Sequence, residues 1–369
     1  MGSDRPLRVL CYAAVDCSHP GGVQRMVTGL SRALEEAGNT VATVWSEPAQ
    51  GHVEGRTVCQ LYARTLASPP YVPRRRSHLP SLLRAARLLA GFRPDVVNVH
   101  FATRAAHSFA ALRSLFGYRL VLSLHGSDML APWPADASHV SRLLREADGI
   151  TAVSGAVRDA AKKSANLSEA AVRVIANGVD TRFWSPGESR ARSPNLVSVG
   201  RLEAVKGYDL LIDAVYRLHR RGMPVGLTLI GSGSQEPLLR GQAERLGLGG
   251  HVRFAGSLDP DAVREQLRES GVFVLSSRSE GMPLALMEAM ACAVPCVATR
   301  VGGIPEFAQG VVPLVEPGNP EALAQTIALL LADPLRGQEL GEAGRRKVMG
   351  HSIEATNRAY LTYLREISR

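Results

Sequence analysis

No apolar run in this chain approaches the roughly 18 residues that a membrane-spanning helix requires, so no segment reads as a helical membrane span. The first apolar stretch, Leu7 to Val15, follows Arg5 and Arg8 but runs into Asp16 without a small-residue cleavage site, and reads as a strand and not a signal peptide. Cysteine is scarce. Cys11, Cys17, Cys59, Cys292 and Cys296 form no C-x-x-C pair and no His/Cys cluster, which argues against a zinc site and for reduced thiols in a cytosol. A complete dinucleotide fingerprint is also missing: Gly231-Ser232-Gly233-Ser234 follows the apolar run Leu227–Ile230, but Glu236 stands where the third glycine belongs, so a nicotinamide site is set aside. No sequence repeat of fixed period is present.

Length predicts about two domains, each with enough apolar residues for its own core. Charge is lopsided. Residues 1–190 carry 23 Lys/Arg against 15 Asp/Glu, net +8, and residues 191–369 carry 20 against 19, net +1. A basic first half points to an acidic partner: anionic lipid, lipid-linked phosphate or nucleic acid. With aromatics at 5% and no recognised binding motif, nucleic acid is the weakest of these. Arg74-Arg75-Arg76 followed by Leu79, Leu82, Leu83, Ala86, Leu89 and Ala90, with Arg84, Arg87 and Arg93 interleaved, reads as a basic amphipathic helix. It suits an anionic membrane surface, and equally an ordinary core face with solvated arginines.

Strand-like runs alternate with helix-like ones throughout, the pattern of parallel-sheet α/β domains. Leu7–Val15 is a first strand, and Gly21-Gly22 turns it into a helix that reaches about Glu36. Two glycines between strand and helix can let backbone N–H groups approach a phosphate, or can be a plain tight turn. Pro94–His100 and Leu120–Leu124 are buried strands. The second runs into His125-Gly126-Ser127-Asp128, and residues at the carboxyl ends of such strands line the ligand crevice of open sheets. His100 and His107 have weaker cases. Ala147–Ser154 is a strand leading into a helix, Val172–Asp180 closes the first domain, and Ser185–Pro194 is a linker. Leu196–Gly200 opens the second domain and leads to Arg201 and Lys206, two cations suited to a diphosphate: Arg201 bidentate, Lys206 as a point charge. Asp259-Pro260-Asp261 spells D-x-D, but Asp before Pro before a helix is the ordinary cap, so no metal is expected. Glu321–Leu331, Pro334–Met349 and Ile353–Ile367 read as helices.

Ser277 to Ala293 organises the rest. Pro283 suits a helix's first position and good helix formers follow it. On one continuous helix, residues eight apart would diverge by roughly 80°. Glu280 therefore belongs to the entering loop and Glu288 to the helix. Between them, the N–H groups of Leu284 and Ala285 lack intrahelical partners, and the helix dipole adds positive charge. An anion site flanked by two carboxylates fits a nucleoside diphosphate sugar, with the phosphate at the helix mouth, one glutamate on the ribose hydroxyls and the other on hydroxyls of the sugar. The spacing carries nothing by itself, since Glu236 and Glu244 share it.

The surrounding residues decide. Val-Phe-Val-Leu-Ser-Ser-Arg-Ser (272–279) before the pair, and Ala-Met-Ala-Cys-Ala-Val-Pro-Cys-Val-Ala-Thr-Arg-Val-Gly-Gly-Ile-Pro-Glu (289–306) after it, resemble the signature of the retaining GT-B glycosyltransferases of family 4. The strand–Gly-Arg–x4–Lys-Gly run at 200–207, the His-Gly-x-Asp at 125–128 and the Asn177–Asp180 segment match as well.

The resemblance implies two doubly wound Rossmann-like domains facing across a cleft: an acceptor-side domain over 1–185, a nucleotide-sugar donor domain over 195–350, and a return helix over 351–369 crossing back to the first. It places Gly21 and Gly22 at the donor diphosphate, His125 against the transferred sugar and Arg253 and Phe254 at the base. Arg201 and Lys206 would stabilise the leaving diphosphate, Glu280 would orient the sugar and Glu288 would hold the ribose. No carboxylate is an obvious double-displacement nucleophile, and the family is usually held to use front-face attack; with two cations and a helix mouth to do its electrostatic work, a metal would be dispensable, and no cofactor is expected. The implied partners are a nucleotide-diphosphate sugar and a glycan or lipid-linked acceptor, in surface polysaccharide assembly, for a cytoplasmic protein able to lie on the inner face of the membrane. A sugar-nucleotide epimerase, a pseudo-glycosyltransferase and a non-catalytic nucleotide-sugar binder or membrane scaffold are the alternatives.

Overall fold

The computed structural model describes residues 5–16, 21–47, 79–103, 106–130, 137–187 and 193–369. Arg74, Arg75 and Arg76, Cys17 and Cys59, and positions 188–192 of the expected linker lie outside these residues. The chain divides into two compact units, residues 1–176 with 356–369, and residues 177–355.

In the first unit β1 (Arg8–Asp16), α1 (Gly22–Glu36), β2 (Thr40–Glu47), α2 (Leu79–Phe92), β3 (Val96–His100), α3 (Ala106–Phe116), β4 (Arg119–Leu124), α4 (Ala137–Glu146), β5 (Gly149–Ala152), α5 (Gly155–Ala165) and β6 (Arg173–Val174) alternate. The six strands form one parallel sheet in the order β2-β1-β3-β4-β5-β6. From Val9 to Ala13, β1 is buried at every residue, as a strand covered on both faces must be. Met26, Val27, Leu30 and Leu34 of α1 recur at helical spacing and pack on Val9, Cys11 and Ala13. The order reverses between β1 and β3, the topological switch point.

The second unit holds β7 (Ser193–Val199), α6 (Tyr208–Arg220), β8 (Leu227–Ile230), α7 (Glu236–Arg245), β9 (Val252–Gly256), α8 (Pro260–Glu269), β10 (Ser270–Leu275), α9 (Leu284–Ala291), β11 (Cys296–Thr299), α10 (Ile304–Ala308), β12 (Leu314–Val315), α11 (Pro320–Ala332) and α12 (Pro334–Val348). Its parallel sheet runs β12-β11-β10-β7-β8-β9, with the switch point between β7 and β10. Leu211, Ile212, Val215 and Leu218 of α6 and Leu323, Ile327 and Leu330 of α11 cover one face.

A final helix, α13 (Ile353–Ser368), belongs to the first unit from Thr356 onward. Tyr360, Tyr363 and Leu364 join the cluster around β1 and α1. Gly149 lets the helix approach β5 closely: a Cβ there would stand 2.7 Å from the Tyr363 hydroxyl, which donates to the Ile150 carbonyl at 3.3 Å.

Three sequence expectations shift. Only Arg173–Val174 of the run Val172–Asp180 pairs in the first sheet, and the boundary between the units falls after Ala176, ahead of the Pro/Gly/Ser stretch. The physical reason is that Asn177 bonds to Met282, and Val179 exchanges backbone hydrogen bonds with His351 and Ile353, all in the second unit. Among the α2 residues whose burial is described, Ala85 and Leu89 are buried, whereas Leu83 is 51% exposed and Ala90 is also exposed, so over residues 82–90 the apolar stripe is narrower than the sequence suggests. Finally, α9 starts at Leu284, with Pro283 as its cap in extended backbone (φ −76°, ψ 115°) and not as its first helical residue.

Candidate functional site

Two loops meet at the carboxyl ends of β7 and β10, beside the switch point of the second sheet. From β7, Gly200 leads through Arg201 and a short 3-10 turn (Ala204–Lys206) to Gly207. From β10, Ser276 to Pro283 leads into α9. They are joined through backbone: Arg278 N donates to the Val205 carbonyl at 2.7 Å and the Ser276 hydroxyl donates to the Lys206 carbonyl at 3.0 Å. Arg278 also grips the Asp209 carboxylate with two bonds, at 2.8 and 2.6 Å, which holds that carboxyl below its ordinary range. Gly207 is required where the loops touch, since its φ is +64° and a Cβ would stand 2.2 Å from the Ser276 carbonyl oxygen.

This junction brings Lys206 and Glu280 together. Lys206 Nζ donates to Glu280 Oε1 at 2.6 Å, and the buried Ser277 hydroxyl donates to the same oxygen at 2.6 Å. The ammonium retains 21% exposure and the carboxylate 9%, so the pair is largely removed from water. Lys206 runs alongside Gly200, its Cε 3.7 Å from where a Cβ would be. Arg201, the next residue, is exposed. Leu284 and Ala285 open α9, whose first backbone bond runs from Met287 N to the Pro283 carbonyl, so the amides of 284 and 285 have no partner inside the helix. Glu288, one turn into α9, is buried to 3% exposure, which excludes a solvated helix position.

Three residues of the matched runs, given no role of their own in the sequence reading, shape this corner. Asn177 donates from its amide to the Met282 carbonyl at 2.8 Å, Gly303 N donates to the carbonyls of Glu280 and Gly281 at 3.3 and 3.2 Å, and Thr299 donates to the Ser277 carbonyl at 2.6 Å. The Gly231-Ser232-Gly233 loop packs backbone against backbone on residues 200–202: a Cβ at Gly231 would meet the Gly200 carbonyl oxygen at 2.1 Å, and one at Gly233 the Leu202 carbonyl oxygen at 2.4 Å. The glycines that look like a nucleotide fingerprint therefore position Arg201.

Arg253 and Phe254 make other contacts. On the edge strand β9, Arg253 bonds Thr228 at 3.4 Å and Gln266, while the Phe254 ring packs against the core beneath the Arg240 guanidinium, 4.4 Å from its centroid. Asp259 caps α8, its carboxylate accepting from Ala262 N at 2.8 Å, the cap reading of D-x-D.

In the first unit, Gly21 caps α1 in extended backbone and Gly22 is its first residue, and the Gln24 side chain returns to Gly21 N at 3.3 Å. His125 follows β4. Asp128 fixes its loop by accepting from the backbone N–H groups of His125, Gly126 and Ala102 at 3.1, 2.9 and 3.2 Å. Burial pushes the Asp128 carboxyl up against the pull of those amides, and brings His125 down to about 3. His125 Nε2 lies 3.1 Å from Nδ1 of His100, which burial and then the neighbouring His125 keep well below the ordinary histidine range. His107 lies against His139 instead, ring centroids 5.5 Å apart.

Residues 182–347 match the family described as "Glycosyl transferases group 1", and residues 20–183 match "Glycosyltransferase Family 4". The chain is 30% identical over 271 residues to the glycogen synthase of Mycobacterium tuberculosis, a match over 70% of this chain but only 65% of that relative, less than two thirds of its length. It is 31% identical over 307 residues to the alpha-maltose-1-phosphate synthase of Mycolicibacterium smegmatis, covering 72% and 78% of the two chains. Among solved structures, Anabaena Alr3699/HepE in complex with UDP-glucose shares the fold at a TM-score of 0.80 and 18% identity, over 97% of this chain and 99% of that one.

Proposed function

The chain belongs to the group 1 glycosyl transferases of the GT-B fold, and from that premise we propose that it moves a sugar, with retention at the anomeric carbon, from a UDP- or GDP-sugar to a glycan or lipid-linked acceptor. The observation that carries this reading is the Lys206–Glu280 pair, 2.6 Å apart beside the entrance of α9. Lys206 and Arg201 supply fixed positive charge to a departing diphosphate, where charge grows toward the transition state. The amides of Leu284 and Ala285, which have no partner inside α9, add the positive end of a helix dipole.

Glu280 is already bound by an ammonium and a hydroxyl, which suits a carboxylate that accepts from sugar hydroxyls better than one that attacks carbon. Glu288 holds the ribose, and His125 with the Gly21-Gly22 turn supports the transferred sugar and its diphosphate. Two cations and a helix entrance do the electrostatic work of a metal ion, so the reaction is proposed to proceed without one. The donor is assigned mainly to the second unit and the acceptor mainly to the first. The UDP-glucose complex of the Anabaena protein supports a sugar-nucleotide donor.

The test is a panel of UDP-, GDP- and ADP-sugars scored by thermal shift and slow donor hydrolysis in EDTA, then by transfer to acceptor. Hydrolysis and transfer that persist in EDTA and fail in Glu280→Gln support the reading. Epimerised donor without transfer would move the protein to the epimerases, turnover of a cyclitol-type acceptor alone to the pseudo-glycosyltransferases, and binding with turnover indifferent to Glu280 to the non-catalytic binders.

A peripheral membrane role has one observation in its favour. On α2, Leu83, Arg84 and Arg87 are exposed, an apolar and cationic face of the kind that meets anionic headgroups. Loss of sedimentation with anionic vesicles in Arg84→Glu/Arg87→Glu supports that role, and unchanged sedimentation removes it. Among the described residues no helix is long and apolar enough to cross a membrane.

A further inference from the structure

A continuous line of side chains runs through the interior of the first unit. The Tyr360 hydroxyl of α13 lies 3.4 Å from Thr151 Oγ1 on β5, and Thr151 donates to Ser123 Oγ on β4 at 3.0 Å. Ser123 donates to Asn98 Oδ1 on β3 at 2.8 Å, and the Asn98 amide nitrogen lies 3.2 Å from His100 Nε2. His100 Nδ1 then reaches His125 Nε2 at 3.1 Å. Register makes the line possible, because Ser123 pairs with His100 on one side and with Thr151 on the other. Tyr360, Thr151, Ser123, Asn98 and His100 are all buried.

Polarity follows from donor and acceptor inventory. A buried phenol must place its proton, and an unplaced donor is costly. The described partners of the Tyr360 hydroxyl are Thr151 and Ser123, whose own protons go to Ser123 and to Asn98, so Tyr360 donates into the line and each hydroxyl passes its own proton on. Ser123 then donates to the Asn98 carbonyl oxygen, which turns the amide N–H toward His100 Nε2 and makes that nitrogen an acceptor. A neutral His100 must carry its proton on Nδ1 and donate it to His125 Nε2. His125 in turn is left with its proton on Nδ1. The low proton affinity that burial gives both rings keeps the line neutral.

We propose that this one-way line of hydrogen bonds fixes His125 as a neutral imidazole protonated on Nδ1, so that it meets its ligand as a hydrogen-bond donor, with Asn98 and His100 as positioning residues. The tautomer stands on the unliganded protein, while the ligand it serves rests on the sugar-nucleotide reading above. A donor at this place suits a ligand oxygen, such as a hydroxyl of the transferred sugar, and disfavours a ligand N–H.

The experiment is long-range proton–nitrogen NMR on the full chain labelled with nitrogen-15 histidine at pH 7, with His100→Gln and His125→Gln used for assignment. The expected spectrum shows both rings neutral with the proton on Nδ1. In Asn98→Leu the His100 Nε2 loses its donor, so both rings are expected to show averaged tautomer shifts, and donor hydrolysis is expected to fall about tenfold in kcat with sugar-nucleotide affinity little changed. Restoring the amide at that place with Asn98→Gln is expected to recover part of the wild-type pattern. A wild-type His125 protonated on Nε2, or shifts unaltered in Asn98→Leu, would overturn the proposal, and the wild-type spectrum decides even where a variant fails to fold. A protein with the expected tautomer that turns over no sugar nucleotide would remove the functional reading and leave the relay standing.

Discussion

Gly207 and Ser276 touch backbone to backbone: a Cβ on the first would lie 2.2 Å from the carbonyl oxygen of the second. That contact brings the loop after β7 against the loop after β10, and the Lys206–Glu280 pair sits beside it. Gly207→Ala therefore combines left-handed backbone, worth roughly 1–2 kcal/mol by itself, with a clash against main chain that cannot rotate away. Thermal melts should show a lower midpoint, and donor-induced stabilisation should be lost along with it.

Lys206 and Glu280 should act as one unit. Glu280→Gln keeps the Ser277 contact available and removes the charge, so the fold is expected to survive while donor turnover falls by about 10²–10³, the size of a lost transition-state contact. Lys206→Ala should lose a similar factor. The double variant is expected to lose far less than the product of the two, and a double-mutant cycle on kcat/KM measures that coupling.

Asp259→Ala is expected to lower stability by about 1 kcal/mol, because the carboxylate caps α8 through Ala262 N. Donor hydrolysis in EDTA should be unchanged by the same substitution. A metal requirement that appears or vanishes with Asp259 would contradict its role as a cap.

The His100–His125 pair makes stability depend on pH. Both rings bind protons less readily folded than unfolded, His125 with a folded value of about 3 against an ordinary 6.5. Between those values the unfolded chain holds more protons, so stability rises with pH and is lost as pH falls below about 6.5. Asp128, held up by burial, acts with the opposite sign, so the measurement belongs in Asp128→Asn. There the melting midpoint should fall steadily from pH 7 to 4.5, and His125→Gln should flatten part of that slope.

Much of this was legible in the chain. The parallel-sheet alternation, the strands within Pro94–His100 and Leu120–Leu124, the reach of α1 to Glu36 and the cap at Asp259 all follow from local chemistry that tertiary structure left alone. Placing Lys206 and Glu280 at one site needed the likeness to a known family, because nothing local ties residues so far apart in sequence, and their direct bond appears only in the structure. What stayed hidden depends on register and on long-range bonds. The proline φ of 283 is compatible with either a cap or a first helical residue, and the extended backbone found there accompanies the bond from Asn177 to Met282. His100 looked like an idle strand residue because its partners, Asn98 and His125, become neighbours only once β3 and β4 are aligned. The stripe of α2 was overestimated because spacing lists the residues that could be buried, whereas the neighbouring helix decides which are.

Tyr360, Tyr363 and Leu364 complete a core that begins at Leu7. A growing chain on the ribosome therefore exposes the apolar wall of this sheet, complete at Val174, until nearly two hundred further residues have been made, and the sheet is covered only when α13 follows. A fragment cut after Ala176 would carry that wall bare, and would need α13 spliced to it, or supplied in trans, to remain in solution.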